Sequence, residues 1–364
     1  MKTDVIVIGA GPGGSASAIS FRRRGFGVTV LEKRFMPRSK VCGEMVAPLG
    51  VKELGRLGVL EKIEAAGANR VRRIIFYSPG GARMELGFPG EEYGVAMSRE
   101  VLDTALFREA QGEGALGVEG FRVDRIEREP KTGLFRVDGA YNESEKRETF
   151  RSRAVINASG LKGIGYKDKK CREFIYAFKI HLRGISCGDA AEIFFYDGGY
   201  GGLVDIEDGV VNLAFQIRKD QASLMDGHPL DILKGVLSVS HPVREKLSSA
   251  APVGKWEAMG GIFARQRGSF PGVWNIGDAS GIVDPFTGLG ISLALQGGRY
   301  IGENLELGRE RRTYDLKRSL NRTRLLTAEM LRKVLFRPRL CHMVMKHASC
   351  SPVLGAGILG LLHT

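Results

Sequence analysis

The stretch DVIVIGAGPGGSASAISFRRRGFGVTVLE, residues 4–32, decides how the rest of the chain can fold. An apolar run at residues 5–8 has the length of a buried parallel strand and leads directly into a glycine-rich turn. Small residues after the turn suit a helix lying close on a sheet, and a second apolar run, residues 28–31, ends at Glu32. This order of strand, turn, helix, strand and acid predicts a Rossmann-type unit that binds a dinucleotide.

The residues of the turn have separate predicted roles. Gly9 permits the tight turn, Gly11 lets backbone amides approach a pyrophosphate, and Gly14 lets the helix pack closely on the strand. A phosphate would then lie at a helix N-terminus, where free N–H groups and the helix dipole favour negative charge. The Glu32 carboxylate is placed to accept hydrogen bonds from the ribose hydroxyls of an adenosine. The motif does not distinguish FAD from NAD, and an ordinary glycine-rich turn is the alternative interpretation.

Length and composition describe an ordinary globular protein. The 364 residues, 43% of them hydrophobic and 26% charged, are enough for two or three domains with full cores. Glycine, at 50 residues, is about twice as frequent as in average proteins, which predicts many sharp turns or close approaches to a ligand.

The five cysteines predict neither a metal site nor a disulfide framework. They form no CxxC pair and have no histidine at zinc-ligand spacing: Cys42, Cys171, Cys187, Cys341 and Cys350. An odd count without a secretory signal favours a reducing compartment, so we expect a cytoplasmic protein. No apolar run approaches the roughly twenty residues that span a bilayer.

The net charge of +13 is concentrated near the C-terminus. Residues 308–346 contain twelve Lys or Arg and three Asp or Glu, and the apolar stretch 353–362 follows. Such a segment predicts peripheral contact with a membrane, although a solvated helical face or a cap on a domain core would look the same. No nucleic-acid motif is present, and we expect no nucleic-acid partner.

A second constellation lies in VWNIGDASGIVDPFTGLGISLA, residues 273–294. A strand runs into Gly277 and Asp278, and a carboxylate at this position can accept a hydrogen bond from a sugar-alcohol hydroxyl. The loop with Pro285, Gly288 and Gly290 then leaves backbone N–H groups open at the start of an apolar helix. Such groups stabilise negative charge on a reduced flavin ring.

Over residues 1–305 the chain resembles the FAD-dependent oxidoreductases with the p-hydroxybenzoate hydroxylase type of fold, and within them the geranylgeranyl reductase family. The resemblance implies that FAD is the cofactor. It further implies that Arg99, which opens an Arg-x-x-Leu/Phe-Asp helix, lies near FAD. The segment Lys40-Val41-Cys42-Gly43 resembles the family's Lys-x-Cys-Gly segment beside the flavin. The residues implied to contact the cofactor are Gly9, Gly11, Pro12, Gly13, Gly14, Glu32, Lys33, Cys42, Gly43, Arg99, Ala158, Gly160, Gly277, Asp278, Pro285, Gly288, Leu289, Gly290 and Ile291.

The chain departs from the family where the substrate would bind. The reductases carry a YxWxFP segment, and this chain has GYGGLVD at residues 199–205. The halogenase motif WxWxIP is absent, and the hydroxylase pattern DGxxSxxR is reduced to ASGLK at residues 158–162. These departures weaken the expectation of an isoprenoid substrate, of halogenation and of ordinary aromatic hydroxylation.

The predicted architecture is α/β. A Rossmann-type FAD-binding domain, residues 1–70, 99–165 and 265–305, receives an inserted, mainly antiparallel β-sheet substrate domain, residues 71–98 and 166–264. Residues 306–364 form a helical C-terminal segment. Within the substrate domain, alternation in residues 72–88 around the turn at residues 79–81 predicts a hairpin, and Ser98 is predicted to be the N-cap of the next helix.

The predicted reaction moves a hydride through flavin N5 to or from a hydrophobic small molecule. No residue stands out in the sequence as a general acid or base. Cys42 either donates a proton or packs beside the flavin ring. With only one dinucleotide fingerprint, NAD(P)H would bind transiently as electron donor. The alternatives are a flavin monooxygenase acting on a lipophilic or polyketide-like substrate, and a non-catalytic flavin-binding module recruited to membranes.

Overall fold

The computed structural model describes residues 2–161, 163–164, 175–218, 228–237, 241–260, 270–281, 288–307 and 337–348. Several predictions from the sequence fall outside these described residues. They concern Pro285, Cys171, Cys350, most of the basic segment 308–346 and the apolar stretch 353–362.

The described residues form eight α-helices. They are α1 Pro12–Arg23, α2 Pro48–Arg56, α3 Leu60–Ala65, α4 Arg99–Gly112, α5 Pro229–Val236, α6 Pro242–Ser248, α7 Gly290–Asn304 and α8 Pro338–Ala348. Five of them begin at proline, which tolerates the first helical position because the N–H it lacks would have no partner there. Helix α4 begins after Ser98, whose Oγ accepts a hydrogen bond from the backbone N–H of Val101 at 3.2 Å. This confirms the predicted N-cap.

Seventeen β-strands run through the described residues. They are β1 Lys2–Ile8, β2 Val28–Leu31, β3 Met45–Val46, β4 Asn69–Val71, β5 Arg73–Tyr77, β6 Arg83–Gly87, β7 Gly94–Ala96, β8 Leu116–Val118, β9 Phe121–Arg128, β10 Phe135–Tyr141, β11 Arg147–Asn157, β12 Ile175–Arg183, β13 Ala190–Tyr196, β14 Gly199–Asp205, β15 Val211–Arg218, β16 Ala251–Gly260 and β17 Val273–Asn275. The mixture of helices and strands confirms the predicted α/β class.

One sheet, here called the parallel sheet after its central strands, has the strand order β8-β2-β1-β11-β10-β9, with β17 beside β11. At its edge, β10 pairs antiparallel with β11 and β9. Strand β1 pairs in parallel with β2 and β11, and β17 pairs in parallel with β11. Because the carboxyl ends of parallel strands meet at one edge, the turns after Ile8, Asn157 and Asn275 lie together there. Three segments that are far apart in the sequence therefore form one binding edge.

The other large sheet, here called the antiparallel sheet, has the order β16-β12-β15-β14-β13-β5-β6. Its neighbouring strands are antiparallel except β13 and β5, and the hairpin of β5 and β6 confirms the one predicted for residues 72–88. One face packs against α5 and α6 in a core that includes Phe194, Leu213 and Leu233. A third, small sheet has the order β3-β7-β4.

Helices α1 and α7 pack with their backbones almost in contact. A Cβ at Gly298 would lie 2.1 Å from the Gly13 carbonyl oxygen, and one at Gly302 would lie 2.8 Å from the Ser17 carbonyl oxygen. Only glycine permits this approach. The contact fixes the start of α7, near Gly290, close to the turn that begins α1.

Candidate functional site

A cavity of about 600 Å³ lies between the binding edge of the parallel sheet and one face of the antiparallel sheet. Most of the residues predicted from the sequence line it: Gly9, Gly11, Pro12, Gly13, Glu32, Lys33, Cys42, Gly43, Arg99, Ala158, Gly160, Gly277, Asp278, Gly288, Gly290 and Ile291. Gly14 and Leu289 are buried outside this lining, and Pro285 lies outside the described residues.

The turn after β1 contains two kinds of glycine. A Cβ at Gly14 would lie 1.9 Å from the Gly9 carbonyl oxygen, and one at Gly9 would lie 2.5 Å from the Ala158 carbonyl oxygen. Gly9 also has a φ of +99°, which favours glycine. A Cβ at Gly11, in contrast, would find its nearest neighbour, Arg38 Nη2, at 3.8 Å. Packing and backbone geometry therefore require Gly9 and Gly14, whereas Gly11 leaves space open in the cavity.

Glu32 directly follows β2 and has 3% of its surface exposed. Its Oε2 accepts hydrogen bonds from the backbone N–H of Ala10 at 2.8 Å and from Arg38 Nη2 at 3.4 Å. Its Oε1 accepts one from the backbone N–H of Arg34 at 3.1 Å. A carboxylate offers about four acceptor sites, so one remains for a ligand hydroxyl.

Cations gather at this end of the cavity, where Lys33, Arg34, Arg38 and Lys40 all contribute to the lining. Burial is the main cause that lowers the pKa of Lys33, opposed by the charge of Glu32, and repulsion from Arg34 and Arg38 lowers it further. Such a group favours a ligand with negative charge, for example a pyrophosphate.

Arg99 lies in the first turn of α4 and is 4% exposed. Its guanidinium forms two hydrogen bonds with Asp103, Nε to Oδ1 at 2.9 Å and Nη2 to Oδ2 at 2.7 Å, and it also interacts with the Cys42 thiol. Burial lowers the pKa of Arg99, but Asp103 and Cys42 outweigh it, so the pKa is raised. Arg99 therefore remains charged beside Cys42.

Glu44 is a site residue that the sequence did not reveal. It follows Gly43, adopts a φ of +55°, and its side chain is completely buried. Its Oε1 accepts hydrogen bonds from the backbone N–H of Arg99 at 2.9 Å and from Lys179 Nζ at 2.5 Å. Its Oε2 is paired with His181 Nε2 at 2.8 Å. One carboxylate thus joins the cysteine loop to α4 and to strand β12.

The contacts of Glu44 with His181 and Lys179 lower its pKa. Burial alone would raise the pKa of this carboxyl, because it disfavours the charged form. The hydrogen bond from His181 and the charge of Lys179 outweigh burial, so the pKa lies below its ordinary value. Glu44 is therefore an ionised carboxylate in a buried ion pair.

A hydrogen-bonded chain leads from this ion pair back to the cavity. Lys179, with 2% of its side chain exposed, donates from Nζ to Ser39 Oγ at 2.9 Å and lies 3.5 Å from Glu257 Oε1. Ser39 Oγ donates in turn to Glu257. The Glu257 side chain is 33% exposed and lines the cavity. The chain links the buried ion pair to a partly exposed carboxylate at the cavity surface.

A pattern in the sequence could have indicated this cluster. Lys179 and His181 stand two residues apart in the apolar run FIYAFKIHL, so they point to the same face of a strand. A buried lysine in such a run needs a partner. The identity of that partner, more than 130 residues earlier in the chain, follows only from the fold.

The second constellation lies at the same edge. Asp278 Oδ2 is 3.3 Å from Lys40 Nζ, and both side chains are partly exposed. A Cβ at Gly288 or at Gly290 would meet no described atom within 4 Å. Backbone groups at the start of α7 are therefore accessible from the cavity.

The opposite wall of the cavity is the antiparallel sheet. Directly paired residues point to the same face, and the register gives a row Lys179–Ala214–Gly202–Ile193 across β12, β15, β14 and β13. A flanking row contains Gln216 and Tyr200, and further residues of this face also line the cavity: Ala177, Ala191, Val204 and Met259. This wall is mainly apolar, and short side chains occupy its centre.

The described residues contain no group of His, Cys, Asp or Glu arranged to hold a metal ion. Among the same residues, no helix has the length and apolar composition needed to cross a membrane.

The comparison with protein families matches residues 2–174 to a model described as an FAD binding domain. Digeranylgeranylglycerophospholipid reductase 2 of Methanopyrus kandleri is 28% identical over 330 residues, which cover 83% of this chain and 76% of that protein. Menaquinone reductase of Mycobacterium tuberculosis is 29% identical over 334 residues, covering 84% and 77%.

Among solved structures, a flavoprotein/dehydrogenase from Cytophaga hutchinsonii superimposes with a TM-score of 0.84 at 18% identity. The superposition covers 99% of this chain and 92% of that one, so the two proteins share a fold.

Proposed function

Because the chain is an FAD-dependent oxidoreductase of the geranylgeranyl reductase type, we propose that it transfers a hydride between the flavin and a carbon–carbon double bond of a hydrophobic small molecule. The observation that carries the proposal is the contrast between the two walls of the cavity. One wall has open glycines and charged groups, which suit a cofactor, and the other is mainly apolar, which suits a hydrophobic substrate.

The first wall fits FAD. Gly11 leaves space beside the N-terminus of α1 for a pyrophosphate, and Glu32 retains an acceptor site for a ribose hydroxyl. Asp278 can accept a hydrogen bond from the ribityl chain, and the open backbone near Gly288 and Gly290 suits the flavin ring. When bound, FAD supplies the two-electron chemistry of hydride transfer.

The chain's own residues position the reacting groups and exclude water. Glu44 holds the loop that carries Cys42 against β12, and Asn212 Nδ2 donates a hydrogen bond to the Cys42 carbonyl oxygen at 3.1 Å. These contacts fix the distance between the cysteine loop and the apolar wall. The apolar wall limits the access of water to the reacting groups.

Reduction of a double bond also requires a proton. Glu257 lies at the cavity surface, is joined to Lys179 through Ser39 by hydrogen bonds, and is one group through which a proton can reach the substrate. The cysteine thiol is the alternative donor, since Cys42 lines the cavity as well. This proton path includes no residue that stood out in the sequence as an acid or a base.

The test is reoxidation of the reduced holoenzyme without oxygen. The bound flavin is reduced with NADH or NADPH, with dithionite as control, and mixed with menaquinone or digeranylgeranylglycerophospholipid, the compounds after which relatives are named. We expect the flavin absorbance to return and the product to gain two hydrogen atoms at a carbon–carbon double bond, a gain that persists after any quinol is reoxidised in air.

Monooxygenation is the alternative reaction. It would consume oxygen in proportion to product, and the product would gain one oxygen atom instead of two hydrogens. Oxygen uptake and product mass, measured in air with the same compounds, distinguish the two reactions. Stoichiometric oxygen insertion would overturn the reductase proposal.

We further propose that the basic segment 308–346 and the apolar stretch 353–362 place the enzyme at an anionic membrane surface, where a lipophilic substrate is available. Binding to anionic vesicles should fall steeply as salt rises, because exposed charges are screened beyond about 8 Å at physiological ionic strength. Co-sedimentation with anionic and neutral vesicles at low and physiological salt measures this. Equal sedimentation with both kinds of vesicle would contradict it.

A further inference from the structure

Strand β14 contains three glycines, and packing explains two of them. A Cβ at Gly199 would lie 2.1 Å from the Gln216 carbonyl oxygen. A Cβ at Gly201 would lie 2.3 Å from the ring of Phe194, on the face that packs against α5 and α6. Larger side chains at these two positions would collide with the core.

Gly202 has no such explanation. A Cβ at this position would meet one described atom within 4 Å, the Glu192 carbonyl oxygen at 3.6 Å, which is ordinary van der Waals contact. Its φ lies outside the left-handed region. Glycine inside a strand destabilises it by roughly 0.5–1 kcal/mol relative to alanine, and often marks close approach of a ligand.

Gly202 faces the cavity. It pairs with Ile193 and with Ala214, and all three residues line the cavity. From Lys179 to Ile193 the row crosses three strand spacings, roughly 14 Å, and its two central positions are Ala214 and Gly202. At the centre of the wall, Ala214 and Gly202 therefore leave a flat area that lies close to the backbone of the sheet, here called the floor.

The side-chain oxygen of Gln216, at the border of this floor, has no hydrogen-bond partner among the described residues. Gln216 lies on β15 in the flanking row, is 7% exposed and lines the cavity. A buried amide oxygen without a partner is unfavourable, so a ligand group that donates a hydrogen bond to it would be stabilised there. A hydroxyl suits either orientation of the amide, because it both donates and accepts.

We infer that Gly202 and Ala214 seat a flat, unsaturated ring system of about two fused rings, which carries a hydroxyl that bonds to Gln216. This inference rests on the proposed function and specifies the substrate class of that site. A flat ring makes full contact with a floor that lacks side chains, whereas a flexible saturated chain loses conformational entropy to reach the same contact.

The experiment measures binding to the FAD-loaded protein by calorimetry and by the change in flavin absorbance. The probes are 2-naphthol, which is flat and carries a hydroxyl, 2-methylnaphthalene, which has the same shape without it, and 1-decanol, which is flexible. We expect 2-naphthol to bind most tightly. Gly202→Leu should weaken 2-naphthol binding by about tenfold or more, because its side chain occupies the floor.

Two further variants act as controls. Gly87→Leu makes the same change at an exposed glycine of edge strand β6, where a Cβ would meet no described atom within 4 Å, and should leave 2-naphthol binding unchanged. Gln216→Leu keeps the volume but removes the amide, so it should abolish the preference for 2-naphthol over 2-methylnaphthalene.

The outcomes separate this inference from the proposed function. If the starting protein does not bind 2-naphthol, or if Gly202→Leu binds it as well as Gly87→Leu does, the floor is not a ring site. Flavin content, thermal melting and anaerobic reoxidation are measured on the same samples. Hydride transfer can thus succeed while the ring site fails, and failed hydride transfer leaves the binding result interpretable.

Discussion

The two walls of the cavity are built in different ways. The wall at the parallel sheet consists of turns, in which a few consecutive residues such as Gly9 to Gly14 supply backbone groups and space. The wall at the antiparallel sheet consists of single side chains from separate strands, brought into rows by pairing register. Short motifs therefore encode the first wall, and long-range pairing encodes the second.

The walls also differ in where their charged residues find partners. Glu44 forms the ion pair that connects the two walls. At the first wall, Arg38 and Arg99 pair with Asp103 within a small group of segments. At the second, Lys179 finds its partner on the other wall. A change at the first wall should act on cofactor binding, whereas a change at the connection should act on the whole fold.

The largest expected effect compares Gly14, which is buried behind the first wall, with Gly11, which lines the cavity. Gly14→Ala places a Cβ 1.9 Å from the Gly9 carbonyl oxygen, and the separation of β1 and α1 that follows should cost more than about 3 kcal/mol of folding free energy. Gly11→Val should fold, because its Cβ has space, but should be colourless, because the side chain occupies the pyrophosphate position. Thermal melting and flavin release on denaturation measure both results. Normal flavin content in Gly11→Val would contradict the assignment of this wall to the cofactor.

The second prediction breaks the connection between the walls. Lys179→Met leaves the buried Glu44 carboxylate without its cation and should lower the free energy of unfolding by about 3–5 kcal/mol. Lys52→Met removes an exposed partner of Glu92 and is the matched control, with an expected loss below about 1 kcal/mol. Urea denaturation midpoints measure both. Equal losses in the two variants would show that the connection contributes no more than a surface pair.

A smaller effect is expected at Asp278. Asp278→Ala should weaken FAD binding by about 1.5–3 kcal/mol, the value of one charge-assisted hydrogen bond, while the fold persists because the side chain is partly exposed. Lys40→Ala removes only the protein partner of Asp278 and tests whether their ion pair contributes to that loss. Flavin titration of the apoprotein gives the affinities. A variant that unfolds but binds FAD normally would show a structural role instead.

The smallest effect is expected at α6, which packs on the face of the antiparallel sheet opposite the cavity. His241 caps α6, its Nδ1 accepting a hydrogen bond from the backbone N–H of Val243 at 3.2 Å, and burial lowers its pKa. The unfolded chain therefore binds a proton more readily than the folded one. The stability contribution is complete above about pH 6.5 and is lost as pH falls towards the folded-state pKa, by up to about 1.4 kcal/mol per pH unit.

His241→Asn keeps a capping side chain that does not titrate, so the stability of this variant should change less between pH 7 and pH 5. Urea denaturation at several pH values gives the two slopes. An unchanged slope in the variant would assign the pH dependence to other groups.

Much of the first wall could be predicted from the sequence. The strand at residues 5–8, the turn with Gly9 and Gly14, and the helix capped by Ser98 all appear in the structure. Each depends on contacts between residues close in the sequence or on the conformational limits of one residue type. Periodicity also predicted the hairpin at residues 72–88, because alternation along a strand is a local property.

The tertiary structure alone decided the second wall and the connection between the walls. Lys179 meets Glu44 because β12 lies beside the cysteine loop, and Gly202 lies next to Ala214 because of the register of β14 and β15. A shift of one residue in that register would turn both away from the cavity. The sequence by itself determined the local elements and the dinucleotide motif. The pairing of distant strands determined which charges meet and which glycine is open to a ligand, since these depend on the free energy of the whole fold.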